Sequence, residues 1–190
     1  MVDLKETPSQ TAGPYVHIGL ATEAAGFSAF APFGADIAGP DAAGERIRIE
    51  GVILDGKGAP MTDALLEIWQ ADAQGRYSDT QDDTGNNTGF TGFGRAVPDF
   101  ETGQFAFDTI KPGATDGAPC LHLWLVARGI NLGLHTRMYF DDEPDANATD
   151  PVLNALDPAR RPTLIATRNG NAYRFDIRVQ GDNETVFFDV

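Results

Sequence analysis

The chain reads as all-β: a β-sandwich of mixed or antiparallel sheets, with long loops and at most short helices. Three observations lead there. Short runs of residues alternate between apolar and polar side chains, the period of a half-buried strand. The 21 glycines and 12 prolines suit many strands joined by turns. Only one segment, residues 151–160, offers helix signals: Asp150 as N-cap and Pro151 in the first turn.

The elements follow in order. Thr7-Pro8-Ser9-Gln10-Thr11-Ala12-Gly13-Pro14-Tyr15 holds two prolines and a glycine. Each proline pushes its predecessor out of the helical region, so residues 1–20 are expected as an extended arm. Residues 21–45 are rich in Ala and Gly without periodicity and read as loop with at most a short helix. Arg46-Ile47-Arg48-Ile49-Glu50 alternates, and Val52-Ile53-Leu54 carries the strand to the turn Asp55-Gly56-Lys57-Gly58. Residues 65–70 form a second strand and residues 104–110 a third, closed by Lys111-Pro112-Gly113. Residues 121–127 are almost continuously apolar, which predicts a central strand covered on both faces. Residues 136–140 follow. Residues 173–180 have the best alternation in the chain, and residues 185–190 close it.

A length of 190 residues fits a single domain spanning 1–190. A hydrophobic share of 42% excludes a chain disordered by composition. No apolar run is long enough to span a membrane. Met1-Val2-Asp3-Leu4-Lys5-Glu6 lacks a basic region followed by an apolar stretch, so no signal peptide is expected. The single cysteine, Cys120, excludes an internal disulfide, and the cytoplasm is the expected compartment. The formal net charge of −14 argues against nucleic acid and anionic membranes as partners. It also means that an anionic ligand needs a local arginine.

Several motifs carry no chemistry. Asp141-Asp142-Glu143-Pro144-Asp145-Ala146-Asn147 lacks the glycine and ligand spacing of an EF-hand and reads as a solvated loop. The glycosylation sequons at residues 86–88, 147–149 and 183–185 are chance matches in a chain without a secretion signal. There is no Walker loop, Rossmann fingerprint or Gly-x-Ser-x-Gly elbow.

The most informative stretch is residues 49–77. Two apolar runs flank a Gly-rich turn, and the second ends in Glu67-Ile68-Trp69-Gln70, then Gly75-Arg76-Tyr77. Further on stand Lys111-Pro112-Gly113 and Pro119-Cys120-Leu121-His122. By themselves, Tyr77 reads as an aromatic packed at a strand end and Cys120 as a small apolar residue. Together these segments resemble the signature of the intradiol ring-cleavage dioxygenases, which open catechols with non-haem ferric iron. The resemblance implies that Tyr77 and His122 stand at iron-ligand positions. It also implies a tyrosine shortly after Lys-Pro-Gly, absent here, and a histidine where this chain has Cys120. The set is degenerate, so no metal is expected on this chain.

The segments 7–19, 127–140 and 173–189 resemble a narrower group, the two-chain members that cleave 3,4-dihydroxybenzoate with O2 to 3-carboxy-cis,cis-muconate. In these the catalytic β chain, of the same fold, holds Fe(III). The α chain has no metal and no catalytic residue of its own, and it completes the pocket at the interface. The resemblance assigns Thr11, Gly13, Pro14 and Tyr15 to the arm bordering the substrate, and Arg137 to the substrate carboxylate. Residue chemistry is compatible: a Gly-Pro arm has little freedom to lose, Tyr15 offers an apolar face with a hydroxyl, and a guanidinium pairs with a carboxylate. A strand-edge Arg137 paired with a surface carboxylate is the plain reading of the same residue. Two other functions stay open: a homomeric dioxygenase with an altered site of Tyr77, Cys120 and His122, and a non-catalytic β-sandwich module.

Overall fold

The computed structural model describes residues 5–27, 33–77 and 89–189. Residues 1–4 of the expected arm, the sequon at 86–88 and the last residue of the closing strand lie outside them. Among the described residues nine strands form the body. They are β1 (Arg46–Leu54), β2 (Leu65–Trp69), β3 (Phe93–Ala96), β4 (Gln104–Ile110), β5 (Cys120–Val126), β6 (Leu134–Phe140), β7 (Ile165–Asn169), β8 (Ala172–Arg174) and β9 (Ile177–Arg178).

The strands pair in the order β3-β2-β5-β6-β7-β8-β1-β4, with β9 beside β1. Most pairs are antiparallel; β1–β8, β1–β9 and β6–β7 are parallel. Strand β7 links two layers, running parallel to β6 and antiparallel to β8. The layers close on one apolar core. Leu66, Ile68, Leu121, Leu123, Leu125, Met138 and Phe140 come from one side, and Ile47, Ile49, Ile53, Phe105, Phe107 and Tyr173 from the other. The all-β sandwich with mixed pairing is therefore what the alternating patterns predicted.

The buried amide of Gln70 ties the layers. Its Nε2 donates to the carbonyl of Ile110 at 2.9 Å, and its Oε1 accepts from Thr109 Oγ1 at 2.8 Å. A buried amide survives here because its partners are supplied from within the fold.

Several expectations change. Residues 5–13 are irregular, as expected for the arm, but Pro14–Leu20 forms a short helix, α1. Pro14 sits in its first turn, where the fixed φ suits a helix and the missing N–H is no loss. The acidic segment is only partly loop: Pro144–Thr149 forms α2. The helix expected over 151–160 stops early, as α3 spans Pro151–Ala155 and a 3-10 helix follows at Arg161–Leu164. Asp150 is the N-cap, accepting from the backbone N–H groups of Val152 and Leu153.

Strand β5 is central but not covered on both faces. Leu121, Leu123 and Leu125 are buried while Cys120, His122 and Trp124 on the other face are half-buried. The long alternating run over 173–180 is interrupted after β8. There the Asp176 carboxylate, instead of a backbone carbonyl, takes the N–H of Val52 at 3.0 Å. Residues 185–189 form one bridge, His135 to Phe188, and no strand.

Candidate functional site

Two loops and three strands build one site. Strands β2, β5 and β6 lie side by side, with Trp69 opposite His122 and His122 opposite Arg137. Directly opposed residues on antiparallel strands share a face. Trp69, His122 and Arg137 therefore project from the half-buried side of β5.

Tyr77 reaches this face because of how its loop is built. The Asp72 carboxylate accepts from the N–H groups of Gln74 and Arg76, tightening the turn. The Asp72 carbonyl accepts from the N–H of Gly113 at 2.8 Å. The loop thus rests on Lys111-Pro112-Gly113, and two glycines permit it. A Cβ on Gly75, whose φ is +76, would lie 2.0 Å from the Ala114 carbonyl oxygen, and one on Gly113 would lie 2.6 Å from that of Ala73. Only glycine tolerates such a conformation and approach together. The Tyr77 ring then stacks on Trp69 at 4.5 Å between centroids, and its hydroxyl shares a 3.0 Å hydrogen bond with His122 Nε2.

Tyr77, His122, Cys120 and Arg137 line one pocket of about 300 Å³, with Thr115, Asp116, Ala118, Asp150, Pro151 and Val152 as further walls. Burial raises the Tyr77 phenol above its ordinary value and pushes the Cys120 thiol up to about 11. Burial, then the nearby Arg137 charge, lowers the His122 imidazole. All three are neutral at pH 7, and the positive charge in the pocket is the guanidinium, with the carboxylates of Asp116 and Asp150 in the walls.

The donor set does not fit ferric iron. That ion asks for several oxygen and nitrogen donors, whereas one phenol and one imidazole face this pocket beside a thiol. Tyr77 and His122 bond to each other, and a fixed cation stands beside them. Among the described residues no group of three or more His, Cys, Asp or Glu could hold a metal ion.

The arm makes a second site. Ser9 Oγ donates to the Asn131 carbonyl at 2.6 Å, and the N–H of Gly129 donates to Thr11 Oγ1 at 2.7 Å. A pocket of about 240 Å³ opens between Ala12, Gly13, Pro14, His17, Asp63, Phe100 and Arg128. Arg128 pairs with Asp63 at 3.2 Å, yet its side chain is 81% exposed. Tyr15 projects outward, 83% exposed.

The expected residues therefore divide. Thr11, Gly13 and Pro14 gather at the arm site, with Tyr15 beside it. Arg137 does not join them. It lies opposite His122, and Thr11 anchors near Ala127, just past the end of β5 and five residues on from His122, about 17 Å away along an extended chain. The cation beside the arm is Arg128, which sequence pattern did not single out. It follows the strand in a turn, and only its neighbours across the fold mark it.

Residues 32–120 match the family described as Dioxygenase. The chain is 51% identical over 198 residues to a protocatechuate 3,4-dioxygenase alpha chain from Pseudomonas putida, covering 98% of this chain and 97% of that one. It is 36% identical over 160 residues to a protocatechuate 3,4-dioxygenase beta chain from Burkholderia cepacia, covering 75% of this chain and 67% of that one. A solved dioxygenase domain from a dioxygenase–carbohydrate-binding fusion of Streptomyces sp. SirexAA-E superposes with a TM-score of 0.62 at 26% identity, covering 93% of this chain and 99% of that one. The chain belongs to the intradiol ring-cleavage dioxygenase family. Within it, the full-length similarity is to the alpha chain of protocatechuate 3,4-dioxygenase.

Proposed function

We propose that this chain is the metal-free α subunit of a protocatechuate 3,4-dioxygenase. It pairs with a β subunit of the same fold that holds Fe(III), and the pair cleaves 3,4-dihydroxybenzoate with O2 to 3-carboxy-cis,cis-muconate. The observation that carries the reading is a full-length match to an alpha chain combined with a pocket where a guanidinium stands among the degenerate ligand positions. The cytoplasm is the proposed compartment. The lone cysteine supports it, and no helix among the described residues is long and apolar enough to cross a membrane.

The arm residues Thr11, Gly13, Pro14 and Tyr15 border the β subunit's substrate in this reading, and Arg128, instead of Arg137, faces the carboxylate. An exposed ion pair such as Arg128–Asp63 is worth about 0–1 kcal/mol, so the guanidinium is free to turn to a ligand. Charge-assisted hydrogen bonds are worth about 1.5–3 kcal/mol, or about one to two decades. Co-expression with the β chain and oxygen uptake test this. Arg128→Ala should raise the KM for 3,4-dihydroxybenzoate by about 10- to 100-fold and that for catechol much less. Arg137→Ala should not reproduce this substrate-selective loss. The opposite pattern would return the carboxylate to Arg137.

A further inference from the structure

The pocket around Arg137 has chemistry left to explain once the chain's role is placed at the arm. Arg137 is half-buried on β6 and makes no ion pair among the described residues. Its neighbours are the Phe188 ring, 5.9 Å from the guanidinium carbon, and the Tyr139 hydroxyl, to which it hydrogen-bonds. The formal charge of the chain is −14, yet this half-buried cation reaches a carboxylate only indirectly, through the Tyr139 hydroxyl that donates to Asp150.

Of the pocket's carboxylates, Asp150 acts on Arg137 through space but makes no ion pair with it. Asp150 is 2% exposed and fully engaged, accepting from the N–H groups of Ala118, Val152 and Leu153 and from the Tyr139 hydroxyl. Asp116 stands exposed at the mouth. Beside the polar Thr115 and the glycine Gly117, the walls are the Tyr77 ring, Pro151, Val152, Ala118 and the protonated Cys120, with His122 neutral. A concave site of about 300 Å³ with mixed polar and apolar walls and one fixed cation has the make-up of a small-ligand pocket.

We propose that this pocket is a metal-free binding site for an aromatic carboxylate, distinct from the arm site. The carboxylate pairs with Arg137, and the ring lies between Tyr77 and the Pro151-Val152 wall. The guanidinium supplies the positive charge that a metal supplies in a catalytic pocket, but it has no redox chemistry, so the ligand is held and not transformed. A bidentate guanidinium–carboxylate pair fixes orientation as well as charge.

The test is 19F NMR of 4-fluorobenzoate with the assembled, iron-loaded α/β protein. Ligand at a ferric site is broadened by the paramagnet, whereas ligand in the Arg137 pocket should give a separate, sharp bound signal. Arg137→Met keeps most of the stem and should weaken that signal's binding by about 10- to 100-fold. Arg137→Lys keeps the charge and should lose less. Thermal unfolding of both variants checks that the fold persists. Absence of a sharp bound signal in the wild type would overturn the proposal, as would an unchanged one in a folded Arg137→Met. Equal displacement by acetate would overturn its aromatic part. If the preparation holds no iron, the ferric-partner reading fails separately, and the Arg137 dependence still tests the pocket.

Discussion

Replacing Asp150 should be among the most damaging single changes in this chain. The carboxylate is buried, and it serves two elements at once. One oxygen caps α3 through the N–H groups of Val152 at 2.9 Å and Leu153 at 2.8 Å, and accepts from the Tyr139 hydroxyl at 3.2 Å. The other accepts from the N–H of Ala118 at 2.9 Å, two residues before Cys120. Removing a helix cap costs about 0.5–2 kcal/mol, and each buried donor left unpaired costs about 1–3 kcal/mol. Water can reach the helix end more easily than Ala118 or Tyr139. The expected loss for Asp150→Ala is therefore about 3–5 kcal/mol. Asp150→Asn keeps one acceptor oxygen and turns an amide N–H toward Ala118, so about 1.5–3 kcal/mol is expected. Urea unfolding followed by circular dichroism measures both. With a slope of about 2 kcal/mol/M, the alanine midpoint should fall by about 2 M. A loss below about 1 kcal/mol for alanine, or equal losses for the two variants, would refute the idea that this carboxylate joins α3 to the start of β5.

Gly75→Ala should displace the loop carrying Tyr77, because φ is +76 and the new Cβ would meet the Ala114 carbonyl at 2.0 Å. A lower melting temperature and a changed Trp69 fluorescence, as Tyr77 leaves its ring, would report it. Burial pushes the Asp142 carboxyl up, but hydrogen bonds from Lys111, Arg168 and Tyr173 bring it down to about 2. Its stabilisation is full above the ordinary aspartate value near pH 4 and is lost as the pH falls toward 2. Asp142→Asn should flatten the melting-temperature profile in that window. Deleting residues 1–15 should leave the chain folded, since α1 buries no side chain, but should weaken β-subunit binding and oxygen uptake together. The chain purified alone should contain far less than one iron and show no tyrosinate charge-transfer band. Near-stoichiometric ferric iron would favour a homomeric enzyme.

The sequence by itself determined the strands whose alternation is strict. Arg46-Ile47-Arg48-Ile49 in β1 and Gln104-Phe105-Ala106-Phe107 in β4 place every second side chain in the core, and a period of two reads directly as one buried face. It also determined the cap at Asp150, because that depends on residue type and position alone. Tertiary structure decided the rest. Phe93-Gly94-Arg95-Ala96 has little strand pattern and becomes β3 through β2, where Arg95 finds Glu67 at 2.5 Å. The alternation over 173–180 promised one strand, but Asp176 takes the Val52 N–H and breaks it. The two arginines show the same division. Arg137 stood out in a strand pattern, and Arg128 did not stand out in a turn. Which of them lies beside the arm depends on where residues more than a hundred positions earlier fold back, as the bonds of Ser9 to Asn131 and of Gly129 to Thr11 reveal. Local periodicity records which face a residue takes; which residues face one another is set by long-range packing.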